Sequence, residues 1–150
     1  SRKSVPPNKK KLEQRERGSM FLFIYGSLKR GFGNYDFMHY LETKFVVETC
    51  TLHPKYDLVG LGRFPGLIDG EYWIAGELFD LPPEKLPQLD AFEGNGRLYI
   101  RKTIPVTHEG GLKAATYFYK HPEGCVPVET FYSGTTDFPP DKVKTWVEGA

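Results

Sequence analysis

Five apolar residues in succession, Met20-Phe-Leu-Phe-Ile24, run into Tyr25 and then into a stretch punctuated by Gly26, Gly31 and Gly33. The run is too short for an ordinary helix. Its lack of alternation suits a strand buried on both faces, so the rest of the chain has to cover it twice over. The glycines after it allow a backbone path that side chains would forbid, with amide N–H groups free to face a ligand. The same pattern also fits a plain strand and turn. Gly26 and Gly31 have the spacing of a phosphate loop, but Phe32 and Gly33 stand where Lys and Ser/Thr are required. That reading is excluded.

A chain of 150 residues supports one domain with a real core, and 16 glycines with 12 prolines point to short elements and many turns, hence to a β-rich fold. No apolar run approaches the roughly 20 residues of a membrane span, and no secretory signal is visible. Cys50 and Cys125 are too few for a disulfide framework, which makes a reducing, cytoplasmic setting the expectation. The four histidines show no ligand spacing with one another or with the cysteines, so no metal site is expected. Residues 1–19 carry seven Lys/Arg against two Asp/Glu, whereas residues 20–150 carry thirteen against seventeen. The leader is expected to be disordered or vector-derived, and 20–150 to form a single domain. A mildly acidic body without a basic stripe argues against nucleic acid as partner.

Taken in order, Asn34 is placed to cap a short helix through Tyr35, Phe37, Met38 and Leu41. Strands are expected over Lys44–Leu52 and Tyr56–Val59. Gly60–Leu67 reads as a loop anchored by Phe64 and Leu67. Glu71–Leu81 follows as a strand in which Glu77, lying between Ala75 and Phe79, is expected to form a structural ion pair. A helix opens near Pro82–Pro87 and stops at Gly94, with Asn95-Gly96 as a turn. Leu98–Val106 and Lys113–Lys120 read as a hairpin of strands. Pro139-Pro140-Asp141 is expected to open a last helix carrying Val143 and Trp146.

Glu93 is the chemical candidate. On the helical wheel it falls between Leu86 and Leu89, inside the apolar stripe. Desolvation there raises a carboxyl pKa toward neutrality, which suits a general acid/base. The alternatives are pairing with Arg97 or Arg101, or a turn outward at a frayed helix end.

Tyr25-Gly26-Ser27-Leu28-Lys29-Arg30-Gly31 with Asn34 resembles the opening strand and loop of the γ-glutamylcyclotransferase superfamily, nearest to its γ-glutamylamine and avirulence-induced plant branches. Phe64-Pro65-Gly66-Leu67, Gly76-Glu77-Leu78-Phe79, Leu89-Asp90-Ala91-Phe92-Glu93-Gly94 and Tyr99-Ile100-Arg101 resemble it too, in the same order, over about residues 20–120. The resemblance implies an α+β fold, a small mixed β-barrel with short flanking helices and a pocket at one mouth. It implies that Tyr25, Gly26, Ser27 and Leu28 hold a small-molecule γ-glutamyl substrate and that Glu93 is catalytic; the strand with Tyr117 and Tyr119 departs somewhat from the family pattern, and these two are left as possible pocket wall only. The implied reaction closes 5-oxoproline and expels an amine without cofactor or metal, as expected where nucleophile and electrophile share one molecule. A non-catalytic ligand-binding protein or a stress-related interaction protein on the same scaffold is the rival reading. Oligomeric state is not legible.

Overall fold

The computed structural model describes residues 19–132 and 142–148. The expectation for the basic leader therefore lies outside the described residues, apart from Ser19.

The first strand, interior to the sheet, is β1 (Met20–Ile24). It is followed by helix α1 (Tyr35–Tyr40), strands β2 (Lys44–Cys50), β3 (Tyr56–Gly60), β4 (Pro65–Asp69) and β5 (Trp73–Leu81), and a 3₁₀ turn leading into helix α2 (Leu86–Glu93). β6 (Tyr99–Pro105), β7 (Lys113–Tyr119), β8 (Val126–Pro127) and β9 (Val143–Lys144) complete the chain. β1 pairs antiparallel with β5, from Met20 opposite Leu81 to Ile24 opposite Glu77, and parallel with β7 at Leu22 and Ala115. β4 also pairs parallel with β7, at Leu67 and Phe118, while β6 runs antiparallel along β7's whole length.

The sheet curls but does not close. β2 and β6 approach one another just past their ends, where Thr51 bridges Val106 and the Leu52 N–H donates to the Pro105 carbonyl at 3.0 Å. The α+β class holds, and "barrel" describes the sheet only loosely. The double burial expected of the first strand is present. Phe21, Phe23 and Tyr25 join a core cluster with Leu58, Ile74, Leu78 and Phe118, whereas Leu22 and Ile24 pack on the opposite side with Met38, Phe79 and Leu89.

Two of the expected secondary-structure assignments fail. The stretch read as a loop up to Leu67 contains the start of β4. Pro65 opens that strand, the one position where a missing N–H costs no ladder bond, and Leu67 is fully buried. Phe64 is no anchor, being 44% exposed. Val143 is not helical either: β9 pairs parallel with β5, Val143 opposite Trp73. β-branched Val143 fills a strand position, and Trp146 packs against Phe32 with ring centroids 5.7 Å apart. Pro139–Asp141, the expected helix start, lies outside the described residues.

Candidate functional site

The chain leaves β1 at Tyr25 and turns immediately, the Lys29 N–H returning to the Gly26 carbonyl at 3.0 Å. Gly26 is needed there for space: a Cβ would lie 2.8 and 2.9 Å from the ring carbons of Pro65. Asn34, expected to cap α1, makes no side-chain cap. Its amide instead donates to Ser27 Oγ at 2.8 Å and its N–H to the Ser27 carbonyl at 2.9 Å, so the two ends of the loop are tied together. Because Ser27 Oγ accepts that bond, its own proton is free for another acceptor. The N–H groups of Ser27 and Leu28 have no backbone partner among the described residues.

Facing this loop is the end of α2. Gly94 stops the helix in the left-handed region (φ 62°), where glycine carries no Cβ penalty. Glu93 is the last helical residue, and its side chain enters a cavity of about 50 Å³ that Tyr25, Gly26, Ser27 and Leu28 also line. All five residues singled out from the sequence therefore meet in one place. Burial pushes the Glu93 carboxyl up to about 7. Among the described residues no hydrogen bond or ion pair reaches it, so neither proposed arginine partner holds it. Arg101 instead grips Asp90, Nε to Oδ1 at 3.0 Å and Nη2 to Oδ2 at 3.3 Å.

Three phenols surround the carboxyl, and Glu93 adds to burial in raising the pKa of each: Tyr25, Tyr99 and Tyr117. The Tyr25 hydroxyl donates to the Tyr117 carbonyl at 2.6 Å and accepts from the Leu67 N–H at 3.1 Å. That of Tyr99 donates to the Pro65 carbonyl at 2.9 Å, and that of Tyr117 to Asp90 Oδ1 at 2.6 Å. Tyr117 thus lines the cavity. Tyr119 stands behind Tyr99 in an edge-on contact at 5.5 Å and does not.

Sequence reasoning missed Tyr99, Thr116, Pro65 and the mouth residues Phe64 and Phe92 as parts of the cavity. The one signal for Asp90 was its spacing, three residues before Glu93 and so near it on the helix surface.

Lys29 and Arg30, equally prominent in the loop sequence, point elsewhere. Lys29 Nζ donates to the Trp146 carbonyl at 2.9 Å, and burial lowers its pKa. Arg30 meets Glu77 through its N–H at 2.8 Å and its Nε at 3.4 Å, the structural ion pair expected for that glutamate. Both basic residues line a second cavity, of about 620 Å³.

Residues 22–135 match the family model described as "Gamma-glutamyl cyclotransferase, AIG2-like". A gamma-glutamylcyclotransferase family protein of Citrobacter rodentium is 30% identical over 112 residues, covering 74% of this chain and 92% of its own. An Arabidopsis thaliana protein provisionally named a gamma-glutamylcyclotransferase is 36% identical over 128 residues, 75% of this chain and 65% of its own. The crystal structure of an AIG2-like protein from Mus musculus superposes with a TM-score of 0.66 at 23% identity, over 88% of this chain and 98% of that one, which speaks to the fold. With the family model spanning most of the chain, the protein belongs to the gamma-glutamyl cyclotransferase, AIG2-like family.

Proposed function

We propose that the protein is a γ-glutamyl cyclotransferase acting on γ-glutamylamines. The observation that carries the reading is Glu93: a carboxyl raised to about 7 and without a partner among the described residues, set in a cavity opposite a loop whose Ser27 and Leu28 N–H groups have no backbone partner among them either. In the reaction, the substrate's α-amine attacks its own γ-carbonyl. A C–N bond forms to close the five-membered ring of 5-oxoproline, and the bond to the leaving amine breaks. The α-ammonium must lose a proton before attack and the leaving nitrogen must gain one. A single carboxyl with a pKa near neutrality serves both steps. The ring closure is intramolecular, so holding the substrate in the reactive conformer removes much of the barrier. The N–H groups of Ser27 and Leu28 and the Ser27 hydroxyl supply donors for the α-carboxylate or the developing oxyanion.

The amine branch is favoured by what surrounds the leaving side. No Lys or Arg is among the residues lining the cavity, and Phe64 and Phe92 stand at its mouth, 44% and 43% exposed. A carboxylate next to the scissile nitrogen would have no cation to meet there, whereas an alkylamine, or the ε-amine of lysine with its carboxylate five carbons away, would meet aromatic rings. The test is 5-oxoproline release from γ-glutamyl-ε-lysine, γ-glutamyl-α-amino acids and glutathione. Release from none of them overturns the enzymatic reading.

A further inference from the structure

Asp90 and Tyr117 come from elements far apart in sequence, yet their 2.6 Å hydrogen bond decides the chemistry of one cavity wall. A tyrosine hydroxyl has one proton and two lone pairs. Both oxygens of Asp90 already accept from the Arg101 guanidinium, so its carboxyl meets Tyr117 as an acceptor. The direction of the Tyr117–Asp90 bond is therefore forced, with the phenol's proton pointing away from the cavity. Tyr99 is constrained alike, since the Pro65 carbonyl it donates to has no proton to return. Thr116 donates to the Phe23 carbonyl at 2.8 Å. The wall around Glu93 thus offers lone pairs, while the opposite wall, at Ser27 and Leu28, offers donors.

We propose that Asp90 is a positioning residue which turns the Tyr117 hydroxyl proton out of the cavity, so that Tyr117 receives the α-ammonium of the γ-glutamyl group as an obligate acceptor. This rests on the γ-glutamyl reading and adds to it the group that orients the nucleophilic nitrogen. The acceptor wall holds the nitrogen beside Glu93 and the donor wall holds the anionic end, so the amino acid can enter in one orientation. Without Asp90 the phenol can rotate its proton into the cavity and oppose the cation.

The experiment compares two ligands by calorimetry on the full chain. 2-Amino-5-butoxypentanoate mimics a γ-glutamylbutylamine but has no carbonyl for its amine to attack, and 5-butoxypentanoate is the same molecule without the amine. The unaltered protein is expected to prefer the amine-bearing ligand. Tyr117→Phe and Asp90→Ala are each expected to cut that preference by about 10- to 100-fold, as for loss of a hydrogen bond to a charged group. Asp90→Asn, which keeps an acceptor oxygen for Tyr117, is expected to retain most of it. Thermal melts identify any variant that fails to fold, and Tyr117→Phe, which removes only a hydroxyl, then decides the matter. A preference unchanged in Tyr117→Phe, or an equal weakening of both ligands, overturns the inference and leaves the cyclotransferase reading intact. Failure of the unaltered protein to bind either ligand overturns both.

Discussion

Asp90 and Glu93 lie one turn apart on α2, yet their carboxyl groups live in opposite electrostatic worlds. Asp90 is held by Arg101 and by the Tyr117 hydroxyl, whereas Glu93 faces a cavity with no partner among the described residues and is raised to about 7 by burial. The separation has a mechanical origin. Arg101 is fixed by its own N–H, which donates to Asn95 Oδ1 at 2.8 Å, and its guanidinium reaches Asp90. One carboxyl is tied into the wall by its partners, and the other keeps a proton available near neutral pH.

Glu93→Gln is expected to lower kcat by about 10²- to 10⁴-fold, because glutamine keeps the volume but moves no proton. Binding of 2-amino-5-butoxypentanoate should survive the change. A purified variant that still releases 5-oxoproline at the parent rate removes Glu93 from the mechanism.

The pH dependence follows from the same residue and has two readouts. If Glu93 accepts the first proton, kcat/KM rises with pH through about 7, and this limb disappears in Glu93→Gln. Stability runs the other way. The folded-state pKa is raised above the ordinary value of 4.5, so below that value the group is protonated in both states and costs nothing. Between about 4.5 and 7 the unfolded chain ionises first, and stability falls as pH rises. Urea titrations at pH 5 and pH 8 should show a decrease in the parent that is smaller in Glu93→Gln.

Gly26→Ala tests the loop by steric means alone. The new methyl would press on the Pro65 ring, and the Pro65 carbonyl anchors Tyr99, so the clash reaches the cavity wall. A cost of about 1–3 kcal/mol is expected from chemical denaturation. A fall in kcat/KM on the order of 10²-fold should accompany it, as for a reacting group displaced by about 1 Å.

Lys29→Met asks whether this lysine is an architectural group. Its ammonium joins the loop to the Trp146 carbonyl, and a methionine would leave that carbonyl unsatisfied. The expected loss is about 1–3 kcal/mol, with faster tryptic cleavage around Lys142 and Lys144 as the specific sign that β9 has loosened. Unchanged cleavage would show that β9 holds without it.

Leaving-group preference is checked as relative kcat/KM, which reports differential transition-state binding. γ-Glutamyl-ε-lysine is expected to exceed γ-glutamyl-α-amino acids and glutathione. Phe92→Arg, a change at an exposed mouth position, is expected to shift the ratio toward substrates whose leaving group bears a carboxylate close to the scissile nitrogen. The reverse ranking in the unaltered protein would reassign the branch but leave the chemistry standing.

How much of this was legible follows from where each feature's cause lies in the chain. Met20–Ile24, the inward face of Glu93 and the stop at Gly94 are local consequences of composition and helical period, and they could be read directly. β4 and β9 could not, because Pro65 and Val143 are strand residues only by virtue of partners elsewhere in the sheet, at Gly60 and Trp73. The directions of Lys29 and Arg30 could not be read either, because a sequence does not say which way a loop residue points. The Asp90–Tyr117 bond joins a helix to a strand, and no periodicity connects them.

The Tyr25 hydroxyl reaches the carbonyl of Tyr117 across 92 residues of intervening chain, and both belong to the cavity. Its other neighbour, the N–H of Leu67, is 42 residues away. Such a contact forms only after long loops have closed against their entropy, which is slow relative to helix formation. A chain that has collapsed with α2 in place but β1 not yet docked on β7 would carry Glu93 without the walls that desolvate it. Catalytic competence is thus acquired late. In a refolding experiment, the return of activity should trail the return of helical signal and coincide with burial of the aromatic core.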